Sequence, residues 1–126
     1  PPNIRKGAGW QGTADLQTDA SFVVFRSRVW GSRPAHKLLR NYITGYDGKS
    51  VPFDTLEKII RRWAPPSENA TQRYIDYVSK RTGLHPNQRV HFLDRKMMCD
   101  IVCAMAFVEC GQEIERGLVE SAFDLI

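Results

Sequence analysis

Two adjacent prolines, Pro65 and Pro66, interrupt what would otherwise be one long helical stretch. Each lacks an N–H, and its ring clashes with the preceding turn, so a helix running into them must stop. Before them, Leu56, Ile59, Ile60 and Trp63 recur at i, i+3, i+4 and i+7, one apolar helical face. Asp54-Thr55-Leu56-Glu57 has the form of a capping box, which predicts Asp54 as the N-cap of a helix over 54–63. After the prolines, Asn69 is the predicted cap, with Gln72 at the box position. Tyr74, Ile75 and Val78 supply the apolar face of a second helix over 70–82, which Gly83 ends. Trp63, Glu68 and Asn69 fall at the corner between the two helices. An acid beside an aromatic ring and a helix N-terminus is a candidate site. The competing reading is a helix–helix turn in which Glu68 complements the helix dipole.

The rest of the chain has the composition to bury such helices. Its 126 residues are 42% apolar and 25% charged, which predicts one domain over 1–126 with a real core. Eighteen basic against fourteen acidic residues give a net charge of +4. That balance suits an anionic partner such as nucleic acid, a cell-wall polymer or a membrane surface, without choosing among them. No run of about 18 apolar residues is present, so no membrane insertion is expected. No signal-peptide pattern is expected either, and a first residue other than Met leads us to expect a processed or trimmed product. Cys99, Cys103 and Cys110 lie roughly on one helical face with no CxxC and no histidine at zinc spacing. They read as small buried hydrophobes in a reduced compartment.

In chain order, residues 1–26 are rich in Gly, Asp, Thr and Ala, and Gly7, Gly9 and Gly12 bracket Trp10. Phe22-Val23-Val24-Phe25 is a strand-like run that we expect to form a small hairpin with a piece near Ile4 or Trp10. A helix is predicted over 34–46, with Pro34 in its first turn. Ala35, Leu38, Leu39, Tyr42, Ile43 and Tyr46 make its apolar face, and Lys37, Arg40 and Asn41 its polar one. Asp47–Ser50 reads as a loop, and His85-Pro86-Asn87 as a solvated turn. Asp94 is predicted to cap a helix over 95–110 whose apolar residues run more than halfway round, as in a central buried helix. Gly111 ends it, and a last helix over 114–125 carries Leu118, Val119, Ala122 and Phe123 on one face. The expected fold is mainly α, about five helices around a buried helix, with a small N-terminal β-hairpin.

Two carboxyls are candidate catalytic groups. Glu109 is flanked by Phe107, Val108 and Cys110 at the end of the buried helix. Desolvation and the helix C-terminus both disfavour an anion there, and a glycosidase general acid needs that environment. The alternative is a side chain that simply points to solvent. Glu68 at the diproline corner is the second. Trp10, Trp30, Tyr42, Trp63 and Tyr74 are candidates for a sugar-stacking wall, against ordinary core packing. Phosphate-binding and nucleophile-elbow motifs are absent, and no metal site or cofactor is expected. Arg26, Arg28, Arg33, Arg61, Arg62, Arg81 and Arg89 are scattered along the chain without a dense stripe, so nucleic acid is not an expected partner.

Several pieces then read together: Pro2-Asn3-Ile4-Arg5, Trp10-Gln11-Gly12, Phe22-Val23-Val24-Phe25, Trp30-Gly31 with Arg33 and Ala35, and Trp63-Ala64-Pro65-Pro66-Ser67-Glu68-Asn69-Ala70-Thr71 with Tyr74. This series over about residues 2–83 resembles a family of phage and prophage virion-associated proteins related to lysozyme-like lytic transglycosylases. The segment Ala104–Gly111 is similar to the one around the catalytic Glu of soluble lytic transglycosylases, although there it comes early in the domain. The resemblance implies a lysozyme-like fold acting on peptidoglycan glycan strands from a virion or the bacterial cytoplasm. Glu68 or Glu109 would be the general acid, with Asn3, Arg5, Trp10, Trp30, Arg62, Trp63, Asn69 and Tyr74 binding substrate. The sequence departs from the family at Pro1-Pro2, at Arg28-Val29, where an acid is lost, and at Cys110. Those departures keep open a non-catalytic structural or host-interaction protein on the same scaffold.

Overall fold

The computed structural model describes residues 29–45, 52–64 and 67–126. Five helices lie within them: α1 (Arg33–Thr44), α2 (Leu56–Trp63), α3 (Glu68–Thr82), α4 (Arg95–Cys110) and α5 (Arg116–Asp124). The expected hairpin at Phe22–Phe25, the loop Asp47–Ser50 and the prolines Pro65 and Pro66 lie outside the described residues. Among the described residues the β pairing is a single antiparallel bridge, Thr55 with Arg89.

The central helix is α4. Asp94 accepts the Met97 N–H at 3.0 Å as its N-cap, and Gly111 closes it at φ 76°, where a side chain would be strained. Ten of its residues are buried, among them Met98, Ile101, Met105 and Glu109, as its all-round apolar pattern requires. Helices α3 and α5 pack along it, α2 packs on α3, and α1 bridges α2, α4 and α5. The buried side chains of all five helices form one continuous cluster that includes Trp30, Leu39, Ile60, Ile75, Ile101 and Val119.

Helix boundaries depart from the sequence reading where tertiary contacts decide. The N-cap of α2 is Thr55, not Asp54: Thr55 Oγ1 accepts the Lys58 N–H at 3.2 Å. Asp54 is drawn off because its carbonyl accepts the Val90 N–H at 2.8 Å beside the bridge to Arg89. The N-cap of α3 is Ser67, not Asn69, so the helix begins at Glu68 instead of 70. Ser67 follows the prolines directly, and a hydroxyl there accepts the Ala70 N–H at 3.3 Å and leaves Glu68 at the positive end of the dipole. Helix α1 stops at Gly45, in the left-handed region at φ 67°, rather than running to 46.

The apolar faces are largely as patterned. Leu56, Ile59, Ile60 and Trp63 of α2 are all buried. In α1 the buried face is turned toward His36, which joins Ala35, Leu39 and Ile43, while Leu38 and Tyr42 pack at its edge. In α5, Val119 and Ala122 face inward, and Leu118 is 52% exposed against expectation. Arg116 sets that rotation by pairing with Asp100 of α4 at 2.7 Å, and Leu118 then falls outside the inward stripe.

Candidate functional site

Glu109 sits in the last turn of α4, and the all-apolar surround of that turn carries its side chain into the core, where it is 8% exposed. Two side chains from other helices donate to its Oε2. Trp63, at the end of α2, donates its indole Nε1–H at 3.0 Å. Tyr74, in the second turn of α3, donates its hydroxyl at 3.0 Å. Trp63 and Tyr74 are 3% and 4% exposed, so both donors are held in the core. Trp30 stands edge-on to the Trp63 ring, with centroids 5.5 Å apart and planes at 86°. Helix α3 packs on α2, and that packing brings Trp63 and Tyr74 to one oxygen.

Other expected site residues are placed elsewhere. Glu68 is on the surface, where Arg61 Nη1 donates to its two oxygens at 3.1 and 3.3 Å. Arg61 also donates to Glu57 at 3.0 Å and to Gln72 at 3.2 Å, so a single guanidinium laces the corner from outside. Those hydrogen bonds, chiefly the one to Glu57, hold the Arg61 pKa above its ordinary value. Asn69 is exposed in the first turn of α3. Arg62 is exposed, with its guanidinium 5.6 Å from the Tyr42 ring centroid. Asn3, Arg5 and Trp10 lie outside the described residues.

The cysteines bring no nucleophile to this cluster. All three are buried, and burial pushes the Cys99 thiol up to about 11 and raises Cys103 as well. Among the described residues no three His, Cys, Asp or Glu side chains are placed to hold a metal ion. No helix among them is long and apolar enough to cross a membrane. A groove of about 440 Å³ runs between the end of α1 and the segment 89–93, lined by Asp54, Arg89, His91 and Phe92 among others. A hollow of about 190 Å³ is lined by Arg81, Lys96, Asp100, Cys103 and Arg116. Neither includes a residue expected to bind or cleave substrate.

Two residues escaped the sequence reading. Arg61 lies seven positions before Glu68, and only the fold across the corner makes them partners. His36 is wholly buried, with Nε2 2.9 Å from the Val119 carbonyl of α5 and its ring edge-on to Phe123. Its spacing from Leu39 and Ile43, i+3 and i+7, was the available signal.

No family model matches the chain, and no solved structure matches it. The chain is 34% identical over 127 residues to Protein P5 of Pseudoalteromonas phage PM2, a match spanning 93% of this chain and 74% of that protein. With that identity over most of both proteins, the chain belongs to the family of Protein P5 of Pseudoalteromonas phage PM2.

Proposed function

We propose that the chain is a non-catalytic component of a phage particle, working through contacts with other virion or host proteins. The observation that carries this reading is the placement of Glu109: its Oε2 accepts from Trp63 of α2 and Tyr74 of α3, inside the core. A carboxyl so engaged ties α2, α3 and α4 together. Three of the aromatic rings that would have stacked on sugar are themselves core residues, since Trp30, Trp63 and Tyr74 are each under 5% exposed. Glu68, the other candidate acid, is spent on an exposed pair with Arg61. Membership of a phage protein family supports a place in the virion.

One observation favours a second reading, a lysozyme-like lytic transglycosylase acting on peptidoglycan at the cell wall. A buried carboxyl among aromatic rings is where a glycosidase acid gains its proton affinity. Glu109 would then protonate the leaving glycosidic oxygen. Mass spectrometry of muropeptides released from purified peptidoglycan separates the two. No release by folded wild-type protein is expected of the structural component. Anhydro-sugar products that vanish in Glu109→Gln would establish the transglycosylase instead.

A further inference from the structure

We propose that the outer face of α1 binds the phosphodiester backbone of a nucleic acid. Arg33, Lys37 and Arg40 recur at i, i+4 and i+7, which places them on one stripe of the helix. Arg33 and Lys37 are exposed and Arg40 is half-buried. The linear sequence spaces these cations out, and the helix gathers them.

What distinguishes them is that three cations without an acid partner share one stripe; Arg62, Arg73 and Lys80, which also form no ion pair among the described residues, are split between α2 and α3. The α1 sequence contains no Asp or Glu. Elsewhere the described cations are mostly paired: Arg61 with Glu57 and Glu68, Arg81 with Glu113, Arg95 with Asp124, and Arg116 with Asp100 and Glu120. Lys58, Arg89 and Lys96 also lie within ion-pair distance of aspartates. Among the described residues no acid pairs with Arg33, Lys37 or Arg40. Three positive charges on one helix, uncompensated among the described residues, are left for a partner.

The geometry favours a phosphate backbone. The eight residues from Arg33 to Arg40 carry the stripe over about 10 Å, the rise of about three phosphates along one strand of a duplex. A membrane surface is less well served. An interfacial helix buries an apolar face among lipid chains, whereas Ala35, His36, Leu39 and Ile43 of α1 are already committed to the protein core. Contacts of this kind position without reading bases, so binding is expected to be independent of sequence and steeply dependent on salt. The proposal does not depend on the role of Glu109.

The test is fluorescence anisotropy of a labelled DNA duplex and a labelled single-stranded RNA, titrated with the full chain across a salt series. The wild type is expected to bind at low salt, with a log–log salt slope of about −3 or steeper on duplex, since each phosphate contact contributes about −0.9. Arg33→Gln/Lys37→Gln/Arg40→Gln is expected to lose about tenfold or more in affinity and to flatten the slope by about 2–3. The charge-matched variant Lys58→Gln/Arg73→Gln/Lys80→Gln is expected to change affinity by less than about threefold, as it alters only the general field. Lys37→Glu alone, in case the triple variant fails to fold, is expected to flatten the slope by about one or more. Three results would overturn the proposal: equal loss in both triple variants, no binding of either nucleic acid at low salt, or capture only by phosphatidylglycerol vesicles.

Discussion

The indole of Trp63 donates to the Glu109 carboxyl at 3.0 Å, although the two residues are 46 positions apart in the chain. Tyr74 donates to the same oxygen from a third helix. The end of a helix is an unfavourable place for an acid, because the unpaired carbonyls there carry partial negative charge. Two directed donors offset that penalty and fix how α2, α3 and α4 meet.

Removing one of the donors therefore weakens the fold without disturbing the surface. Tyr74→Phe deletes a single hydroxyl and leaves the ring in place. We expect a loss of about 1–3 kcal/mol, the range for a buried hydrogen bond to an acidic group. Urea unfolding followed by tryptophan fluorescence measures it, and an unchanged midpoint would show that the hydroxyl contributes nothing.

His36 gives stability a pH dependence near neutrality. Burial lowers its pKa below 6.5, against the hydrogen bond to Val119 and the attraction of Asp124, both of which raise it. Among the described residues its buried Nδ1 meets no hydrogen-bond partner, so the folded protein holds the ring neutral with the proton on Nε2. As pH falls below 6.5, the unfolded chain takes up a proton that the folded chain refuses, and stability falls until the folded histidine titrates. Asp100 and Asp124 act in a different window. Burial opposes ionisation of Asp100, but hydrogen bonds from Lys96 and Arg116 win; the Asp124 carboxyl is lowered chiefly by its hydrogen bond from Arg95. Both therefore stabilise above 3.8 and lose that contribution only in stronger acid. Thermal unfolding of the wild type should show a falling Tm between pH 7 and pH 5, about the range of the histidine. His36→Gln, which keeps a donor for the Val119 carbonyl, should flatten that part of the curve.

The caps separate what the sequence suggests from what the fold uses. Ser67→Ala removes the acceptor for the Ala70 N–H and should cost about 1 kcal/mol. Asn69→Ala, at an exposed first-turn position, should cost about half of that or less. Chemical denaturation of the two variants side by side checks the assignment, and the reverse order would return the cap to Asn69.

Glu68→Gln is expected to leave both folding and any surface contact of the corner close to wild type. Its pair with Arg61 is exposed, where solvent and salt screen the attraction and long side chains lose freedom in making it. Superimposable circular dichroism melts are the predicted result.

The helices were legible because their apolar spacing is regular: Leu56, Ile59, Ile60 and Trp63 read as one face and are one face. Asp94 and Gly111 bound α4 as their chemistry dictates, since an aspartate accepts a first-turn N–H and a glycine reverses the chain at positive φ. The caps at Thr55 and Ser67 were not legible. Each competed with a better-looking neighbour, and the choice was made by a backbone pairing with Val90 in one case and by the end of the diproline corner in the other. The sequence marked Glu109 as unusual from its apolar flanks. It did not say which side chains would meet it, because Trp63 and Tyr74 reach it only through tertiary packing. The α1 cation stripe was legible in part: Lys37 and Arg40 fall on the polar face that the apolar spacing predicts, whereas Arg33 joins them because α1 begins one residue before the predicted start.

If Glu109 holds the core together, the sign of its effect on stability shows it. A carboxyl kept buried for catalysis is commonly a burden, and replacing such a residue tends to stabilise the protein. A carboxyl that ties three helices together does the opposite. We would measure urea unfolding of wild type, Glu109→Leu, Tyr74→Phe and the double variant. We expect Glu109→Leu to cost about 2–5 kcal/mol, as two buried donors lose this acceptor, with a coupling to Tyr74 of about 1 kcal/mol or more. A Glu109→Leu protein as stable as the wild type or more so, with no coupling to Tyr74, would contradict it.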